Sequence, residues 1–347
     1  MMKNQAVFMT GLNKMEMRDI EMPVLKKKDV MVKLEYVGIC GSDVHYLEYG
    51  AIGDFIVNGD FILGHECAGT ITEVGAGVTD LKVGDRVALE PGCTCGRCEF
   101  CKTGKYNLCP DVEFLATPPY QGCLENYIAF PENMCFKLPD HISTKEGALV
   151  EPLAVGMHAA NQGEVKLGDS ITILGAGCIG LVTLLACKAH GATDITVVDV
   201  MPKRLDYAMK LGATRVINAM EEDVVERLGE MTNGRGFDVV IETAGNKVTI
   251  KQTASIVKRG GTIVLVGMAA EDVIDYNFAR IMSKEAAIKS VFRYRNIYPA
   301  AIRAIADGVI DVSDIITHEF DFADTAKAFD FVIHNKNDVV KAVIKIE

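Results

Sequence analysis

The sequence lacks three features that would direct it to nucleic acid, to a membrane or to secretion. It has no excess of positive charge, because its formal net charge is -11 and its pI about 5.2, which argues against nucleic acid or an anionic membrane as partner. The N-terminal stretch MMKNQAVFMT has no apolar core of signal-peptide length. The uncharged run 171–187 contains glycines that predict a strand, a turn and a helix start rather than a membrane span. We therefore predict a cytoplasmic protein.

Cysteine, in contrast, is abundant. The chain has 347 residues, of which 49% are hydrophobic and 24% charged, so it is long enough for two ordinary soluble domains. It contains eleven cysteines, and five of them fall between residues 93 and 109. An odd number of clustered cysteines in a protein predicted to be cytosolic favours metal binding over disulfide bonds.

Residues 1–155 predict a mainly β domain, since short apolar runs are separated there by Gly, Pro and Asp. A lobe at about 93–110 carries four cysteines at short spacing, namely Cys95, Cys98, Cys101 and Cys109. Four thiolates complete a tetrahedral shell and leave no position for water, which predicts a structural zinc site. The alternative is a set of free buried thiols.

A second set of potential metal ligands lies closer to the N-terminus. Cys40 and His65 each follow an apolar run that predicts a strand, and Glu66 comes next in the chain. Thiolate, imidazole and carboxylate are all zinc ligands, and three protein ligands plus water are typical of a catalytic site. The alternative is a buried cysteine and a hydrogen-bonded histidine at the edge of a β-structure.

From residue 156 the pattern changes to strands that alternate with helices. A buried-strand run at 171–174 leads into Gly175, Gly177 and Gly180, then a helix, then a second strand that ends at Asp199. This is the dinucleotide-binding fingerprint in its required setting, with glycines that admit the pyrophosphate and a helix N-terminus that donates N–H groups to it.

Asp199 predicts a preference for NAD over NADP, because an acid accepts hydrogen bonds from the adenosine ribose and repels a 2′-phosphate. Two alternatives remain open at this point. Asp199 also fits the role of a residue that only terminates the strand before Pro202. Arg204 suits a 2′-phosphate, although it also suits stacking on the adenine.

The alternation continues with helices expected at 221–232 and 248–258 and strands at 237–241, 262–266 and 286–292. Such alternation predicts a doubly wound parallel sheet. We therefore predict an α/β protein with a Rossmann domain at 156–294. The tail, 295–347, leaves the alternation and is expected to complete the first domain.

Together the motifs resemble those of the zinc-containing medium-chain alcohol dehydrogenases, over the whole chain and most closely in their sorbitol (L-iditol) dehydrogenase branch. The resemblance implies a GroES-like mainly β catalytic domain, a Rossmann domain, NAD, and one catalytic and one structural zinc per chain. Some polyol dehydrogenases lack the structural zinc cysteines, whereas all four are present here. The segments that carry the resemblance are 38–46, 64–66, 95–109, 114–119, 146–153, 175–180 and 291–294.

The resemblance also implies roles for individual residues. Glu151 is implied as a fourth zinc ligand or as the holder of the zinc-bound water, and relatives differ in whether the position of Glu66 or that of Glu151 binds the metal. Ser42 and His45 have the spacing of a hydroxyl-to-imidazole proton relay; the alternative for His45 is an ordinary surface side chain. The implied substrate pocket contains Glu151 together with Tyr46, Phe114, Thr117, Arg293 and Tyr294. The nucleotide site is expected to include Ile179, Arg204, Val266, Gly267, Met268, Val291, Phe292 and Arg293.

The predicted function is NAD- and zinc-dependent oxidation of a polyol (sorbitol, xylitol or L-iditol) to the ketose by hydride transfer, in a homotetramer or a dimer. Zinc lowers the pKa of a bound hydroxyl, and the nicotinamide accepts the hydride. One alternative is another zinc dehydrogenase of a secondary alcohol, such as threonine or 2,3-butanediol. A second is a dinucleotide-binding protein without catalysis, which the retained metal ligands disfavour.

Overall fold

The structure, a computed structural model, describes residues 3–271 and 273–346 and divides the chain into two compact units. The first unit combines Met1–Glu151 with Tyr298–Glu347, and the second is Pro152–Ile297. The first predicted boundary, after residue 155, lies four residues beyond the division after Glu151. The second, after residue 294, lies three residues before the division after Ile297. The predicted fold class is confirmed, because one unit is mainly β and the other contains a parallel sheet covered by helices.

The first unit is built around a seven-stranded sheet in the order β12-β8-β7-β3-β20-β19, with β11 also paired to β3. The last two strands of the chain therefore join the sheet formed by its first third. All pairings in this sheet are antiparallel except β19 with β20. Its strands are β3 (Asp29–Gly38), β7 (Glu66–Val74), β8 (Arg86–Leu89), β11 (Tyr127–Pro131), β12 (Cys135–Lys137), β19 (Ile316–Asp321) and β20 (Lys341–Lys345).

Within the described residues, three small sheets and five α-helices complete this unit, and a sixth, α4, begins at its end and continues into the second unit. The small sheets are β2-β1-β6, β9 with β10 and β4 with β5. Their strands are β1 (Asn4–Gly11), β2 (Lys14–Ile20), β4 (Ala51–Ile52), β5 (Phe55–Ile56), β6 (Phe61–Ile62), β9 (Gly92–Cys93) and β10 (Glu113–Phe114). The helices are α1 (Gly41–Tyr49), α2 (Glu99–Lys102), α3 (Thr144–Ala148), α4 (Val150–Gln162), α10 (Tyr298–Ala306) and α11 (Thr325–His334).

Strand β3 is the centre of the first unit's core. Val30, Val32, Leu34 and Val37 are all fully buried, because β3 is covered on both faces and paired on both edges. It also lies unusually close to β7, since a Cβ added at Gly69 would be 2.0 Å from the Lys33 carbonyl oxygen. Only glycine permits that approach, and the β3–β7 register shifts just beyond it, between Leu34 and Tyr36.

The second unit is a six-stranded parallel sheet in the order β15-β14-β13-β16-β17-β18. Its central strand β13 is buried at every position, as expected when helices cover both faces of a parallel sheet. The strands are β13 (Ser170–Leu174), β14 (Asp194–Asp199), β15 (Arg215–Asn218), β16 (Phe237–Glu242), β17 (Val257–Leu265) and β18 (Ala287–Ser290). The helices are α5 (Cys178–Ala189), α6 (Pro202–Lys210), α7 (Val224–Met231), α8 (Lys247–Ile256) and α9 (Phe278–Lys284).

Two predicted helices end or begin elsewhere than expected. The helix predicted at 221–232 starts at Val224, because the Asp223 carboxylate accepts a hydrogen bond from the Glu226 N–H and caps it. The helix predicted at 248–258 stops at Ile256, since Val257 is fully buried and pairs with Phe237 in the sheet. None of the helices in the described ranges has the length and apolar character needed to cross a membrane.

Candidate metal centres and dinucleotide site

The structure brings Cys40, His65 and Glu66 together at the ends of two neighbouring strands. Gly38, the last residue of β3, pairs with Glu66, the first residue of β7. Cys40 lies just beyond β3 at the N-cap of α1. One potential ligand atom from each of the three residues lies within 4.8 Å of the other two. The donor set, a thiol, an imidazole and a carboxylate, fits a zinc ion.

Asp43 organises this group, although the sequence did not single it out. Its fully buried carboxylate accepts hydrogen bonds from the N–H groups of Gly64 (3.0 Å) and Cys40 (3.1 Å) and lies 3.4 Å from His65 Nδ1. Burial acts to raise the pKa of Asp43, but the charge of His65 and these hydrogen bonds lower it overall. Asp43 therefore stays ionised and orients the imidazole, as acids behind metal-binding histidines do.

Glu66 has a second buried partner, Lys341 of β20. The Lys341 ammonium lies 2.7 and 2.8 Å from the two Glu66 carboxylate oxygens and donates to the Ile39 carbonyl oxygen at 3.0 Å. Glu66 is fully buried and Lys341 is 3% exposed. A Cβ at Gly38 would lie 2.0 Å from a Glu66 oxygen, so only glycine leaves room for this carboxylate. The metal-ligand group thus contains a buried cation that sequence analysis did not identify.

The remaining predicted residues of the first unit are placed as follows. Glu151 is buried in the first turn of α4, and it is not a member of the group formed by the three ligands. Ser42 and His45 lie half-buried on α1, the helix that Cys40 caps. The rings of His45 and Tyr49 are 4.7 Å apart. The structure therefore attaches both relay candidates to the metal-ligand group through one short helix.

Among the predicted substrate residues, Phe114 is in ring contact with His65, one of the three candidate metal ligands. Its ring centroid is 5.9 Å from that of His65. Thr117 is half-buried, and its N–H donates to the Phe114 carbonyl oxygen at 3.0 Å. Tyr46 is buried on α1 and packs edge-on against Phe61. The segment 114–117 is thus folded back beside the metal ligands.

The four lobe cysteines form a second, separate group whose sulfur atoms lie within 4.8 Å of one another. The Sγ atoms of Cys98 and Cys101 are 3.4 Å apart, and those of Cys95 and Cys101 are 4.0 Å apart. Four sulfur donors in this arrangement fit a closed tetrahedral zinc site. Cys93 stands apart in β9, where burial raises the pKa of its thiol to about 12.

The glycine turn after β13 has the close approaches that the fingerprint requires. Gly175 adopts φ +106°, which favours glycine. A Cβ at Gly180 would lie 1.9 Å from the Gly175 carbonyl oxygen. Gly177 is the N-cap of α5, and Ile179 lies half-buried in its first turn. The N-terminus of a twelve-residue helix therefore faces this turn and can bind a pyrophosphate.

Asp199 is fixed at the end of β14 by two backbone groups. Its carboxylate oxygens accept hydrogen bonds from the N–H groups of Ala176 (2.7 Å) and Met201 (2.9 Å). Arg204 lies in the first turn of α6, with a guanidinium nitrogen 3.9 Å from where a Cβ of Gly177 would be. Acid and arginine thus flank the same glycine turn.

Glu242, at the end of β16, is a second carboxylate that sequence analysis missed. It is fully buried and accepts hydrogen bonds from the N–H groups of Ala244 and Gly245, both at 3.0 Å, and from the Thr249 hydroxyl at 2.7 Å. Its backbone carbonyl accepts from the N–H groups of Val266 (2.8 Å) and Gly267 (3.1 Å). The predicted nucleotide residues 266–268 are therefore held to the turn after β16 by Glu242.

The segment after β18 has an unusual backbone. Arg293 adopts φ +56°, and its guanidinium lies over the Phe292 ring at 4.8 Å. Tyr294 is buried, whereas Val291 and Arg293 are half-buried. A positive φ at a non-glycine residue is uncommon and often accompanies function.

Two family models match the chain, and with its close relatives they define its family. A model described as an alcohol dehydrogenase GroES-like domain matches residues 26–140, and one described as a zinc-binding dehydrogenase matches residues 178–307. The chain belongs to the zinc-type medium-chain alcohol dehydrogenase family.

Its similar relatives include three proteins matched over nearly their whole length. The chain is 51% identical to the uncharacterized zinc-type alcohol dehydrogenase-like protein YdjJ of Escherichia coli K12, with 99% of each chain covered. It is 43% identical to the sorbitol dehydrogenase of Bacillus subtilis 168, covering 98% of this chain and 96% of that one. It is also 43% identical to an Arthroderma otae protein named Probable D-xylulose reductase A, with 95% and 94% covered.

Solved structures show the same fold. An Escherichia coli oxidoreductase of unknown specificity, described as involved in membrane biogenesis, has a TM-score of 0.96 at 50% identity, with both chains fully covered. The 2R,3R-butanediol dehydrogenase of Bacillus subtilis has a TM-score of 0.91 at 32% identity, with 99% and 100% covered. A zinc-binding dehydrogenase of Sinorhizobium meliloti 1021, bound to NADP, has a TM-score of 0.92 at 29% identity, with both chains fully covered.

Proposed function

We propose that the protein is an NAD- and zinc-dependent polyol dehydrogenase that oxidises sorbitol, xylitol or L-iditol to the ketose. The observation that carries the proposal is the group of Cys40, His65 and Glu66 with its orienting acid, Asp43. Identity of 43% to a sorbitol dehydrogenase and to a protein named for D-xylulose reduction supports the substrate class. Since a polyol carries several hydroxyls, such a site discriminates against simple alcohols that leave its polar groups unpaired.

In this proposal Cys40 and His65 hold the catalytic zinc, with Glu66 or Glu151 as the carboxylate ligand. When bound, zinc supplies Lewis-acid activation of the substrate hydroxyl. Asp43 keeps the His65 ring in its orientation through the 3.4 Å contact. Ser42 and His45 carry the hydroxyl proton towards solvent along α1, with Glu151 as the competing acceptor.

The substrate's other hydroxyls are proposed to pair with Thr117, Arg293 and Tyr294, and Tyr46 and Phe114 to bound the carbon chain. Arg293 offers a guanidinium that lies over the Phe292 ring, 4.8 Å from its centroid. Its positive φ is consistent with a backbone shaped for function rather than for local stability.

NAD is proposed as the preferred cofactor, bound by the glycine turn, Asp199 and the 266–268 and 291–293 segments. Two backbone N–H groups hold the Asp199 carboxylate beside the glycine turn, and a carboxylate there repels a 2′-phosphate. Arg204 opposes this preference for NAD, because a guanidinium near the ribose suits a 2′-phosphate. The test compares kcat/KM for NAD and NADP in the wild-type and Asp199→Ala proteins. We expect NAD preference that the substitution relaxes, and equal efficiency in the wild type would contradict it.

The protein is further proposed to act in the cytoplasm as a homotetramer. Strand β18 is an edge of the parallel sheet, and Ile288 on it is 39% exposed. Pairing between edge strands of two copies would extend this sheet. Light scattering of the purified protein tests the assembly, and a monomer at micromolar concentration would exclude it.

The decisive experiment measures NADH formation with sorbitol, xylitol, L-iditol, threonine and 2,3-butanediol, before and after chelation and after zinc is restored. We expect polyol oxidation that chelation abolishes and zinc recovers. Activity on 2,3-butanediol alone would favour the second candidate, which the similarity to a butanediol dehydrogenase supports. Arg293→Ala should reduce polyol oxidation selectively. NADH binding without any turnover would indicate a non-catalytic dinucleotide-binding protein.

A further inference from the structure

A buried lysine faces the proposed catalytic metal ligands from the last strand of the chain. Lys341 is 3% exposed, and its ammonium is within hydrogen-bond distance of both oxygens of Glu66, at 2.7 and 2.8 Å. It also donates to the Ile39 carbonyl oxygen at 3.0 Å. Lysine is among the residues that are almost never buried unless paired, since taking an ammonium out of water is costly.

The position of this lysine is fixed by the backbone. The Ile39 N–H donates to the Ala342 carbonyl oxygen at 2.9 Å, and Gly38 pairs with both Glu66 on β7 and Val343 on β20. The strands that carry the acid and the lysine therefore flank the end of β3, one on each side. Gly38 keeps the space for the carboxylate free of a Cβ. The ion pair is thus built into three adjacent strands.

Glu66 has two competing cations if the proposed function is correct. A divalent metal held by Cys40 and His65 would attract its carboxylate, yet Lys341 already contacts both oxygens. We propose that Lys341 is a positioning residue that competes with the metal for Glu66 and so limits the number of anionic ligands the metal receives. The inference rests on the proposed zinc site.

Charge counting gives the consequence. A divalent ion with one thiolate and one carboxylate is neutralised. The ionised Asp43 beside His65 adds one negative charge, which the Lys341 ammonium offsets. Fewer anionic donors bind the metal less tightly and leave it a stronger Lewis acid. Lys341 therefore lowers the affinity of the site for the metal and raises the electrophilic character of the bound metal, which alcohol oxidation requires.

The test replaces Lys341 by methionine, which has a similar length and no charge, and measures zinc affinity by competition with a chromogenic chelator. The four-cysteine lobe provides a second site in the same molecule whose affinity should not change. We expect Lys341→Met to tighten zinc binding at the Cys40 site by about tenfold, the lower end of what residues behind metal ligands contribute. The double variant Lys341→Met/Glu66→Gln should lose that gain, because the carboxylate it depends on is absent.

A second lysine–carboxylate pair separates this role from simple stabilisation. Lys137, whose side chain is 52% exposed, pairs at 2.6 Å with the buried Asp85 in the same unit. Lys137→Met should lower the melting temperatures of the metal-free and zinc-loaded proteins equally. Lys341→Met should lower the melting temperature of the metal-free protein more than that of the zinc-loaded protein, because bound zinc compensates the Glu66 carboxylate that has lost its lysine. Equal losses of melting temperature in the metal-free and zinc-loaded forms of Lys341→Met would overturn the proposal. Unchanged or weaker zinc binding by this variant would overturn it as well.

Two further outcomes are distinguishable. If Lys341→Met does not fold, Lys341→Gln takes its place, because glutamine keeps a neutral donor to Glu66. Zinc binding should then tighten by about threefold, an intermediate effect, since only the charge is removed. No tightening in Lys341→Gln also overturns the proposal. Cobalt(II) substitution gives an independent readout, because an added carboxylate ligand changes the visible spectrum of the loaded site. A wild-type protein that binds zinc only in the cysteine lobe would refute the proposed function itself, and no substrate is needed to detect this.

Discussion

Glu125 allows a quantitative prediction about pH and stability. It lies 8% exposed where β1 meets the segment before β11, and the Asn4 amide donates to it at 3.4 Å. Burial raises the pKa of Glu125 from 4.5 to about 8, and the Asn4 hydrogen bond reduces the effect only in part. The folded protein therefore keeps this carboxyl protonated at a pH where the unfolded chain has released the proton.

The sign of the effect follows from proton linkage. Because the folded pKa is raised, the contribution to stability is fully present below about pH 4.5 and is lost as the pH rises through about 8. The upper limit is roughly 5 kcal/mol, since each pKa unit corresponds to about 1.4 kcal/mol. Relaxation and entry of water around the ionised group reduce the value, and we expect a loss of about 2–4 kcal/mol between pH 5 and 9.

The perturbation is Glu125→Gln, which keeps the shape and removes the ionisation. Because the chain has no tryptophan, urea unfolding is followed by far-UV circular dichroism, from pH 5 to 9 with zinc present. The variant should gain stability relative to the wild type as the pH rises. For Glu73→Gln, at an exposed position of the same unit, the free energy of unfolding should change with pH as it does in the wild type. Parallel profiles for Glu125→Gln would refute the reasoning, whatever the absolute stability.

Three further predictions concern groups that the sites depend on. Asp43→Asn removes the charge beside His65 and replaces one of the two oxygens that accept from Cys40 and Gly64 by an NH2 donor, so zinc affinity at the Cys40 site should fall by about 10- to 100-fold in a chelator competition; unchanged affinity would contradict that role. Glu242→Leu removes the oxygen that accepts from two backbone N–H groups and from the Thr249 hydroxyl, so NADH should bind at least about tenfold more weakly by fluorescence titration, whereas Thr249→Ser, which keeps its hydroxyl, should bind normally. Cys98→Ser should lose one zinc per chain by metal analysis and lower the melting temperature, while Cys93→Ser should do neither; two retained zinc ions in Cys98→Ser would argue against the four-sulfur site.

The fold was predictable where its signals are periodic or steric. The alternation of strands and helices after residue 156 predicted a parallel sheet, and the structure has six parallel strands there. The glycines at 175, 177 and 180 carry their own steric reason, which the 1.9 Å approach at Gly180 makes explicit. Helix ends were less predictable. Val257 favours a strand by its own propensity, and its pairing with Phe237 places it in the sheet.

The site was predictable in its ligands and less so in what surrounds them. Cysteine, histidine and acidic residues at strand ends indicate a metal from chemistry alone, and Cys40, His65 and Glu66 do come together. The roles of Ser42, His45 and Glu151 remain predictions, because the structure attaches them to the site without assigning them a reaction. Asp43 had one available signal, since an acid three residues after a helix N-cap is a capping position. Its contact with His65 requires the fold.

Lys341 had no such signal in the sequence, and the residue pattern of the last strand explains why. In the sequence KAVIK, Lys341, Val343 and Lys345 fall on the same face at alternate positions, which predicts a face turned to solvent. Val343 is nevertheless fully buried and Lys345 exposed, so that face is covered at one end of the strand only. A lysine at the covered end must meet an acid or destabilise the fold, and the acid it meets is Glu66. The charge around the candidate metal ligands therefore depends in part on a residue 275 positions away in sequence, through the pairing of β20 with β3. A change that shifts the register of β20 would move this charge without touching any metal ligand.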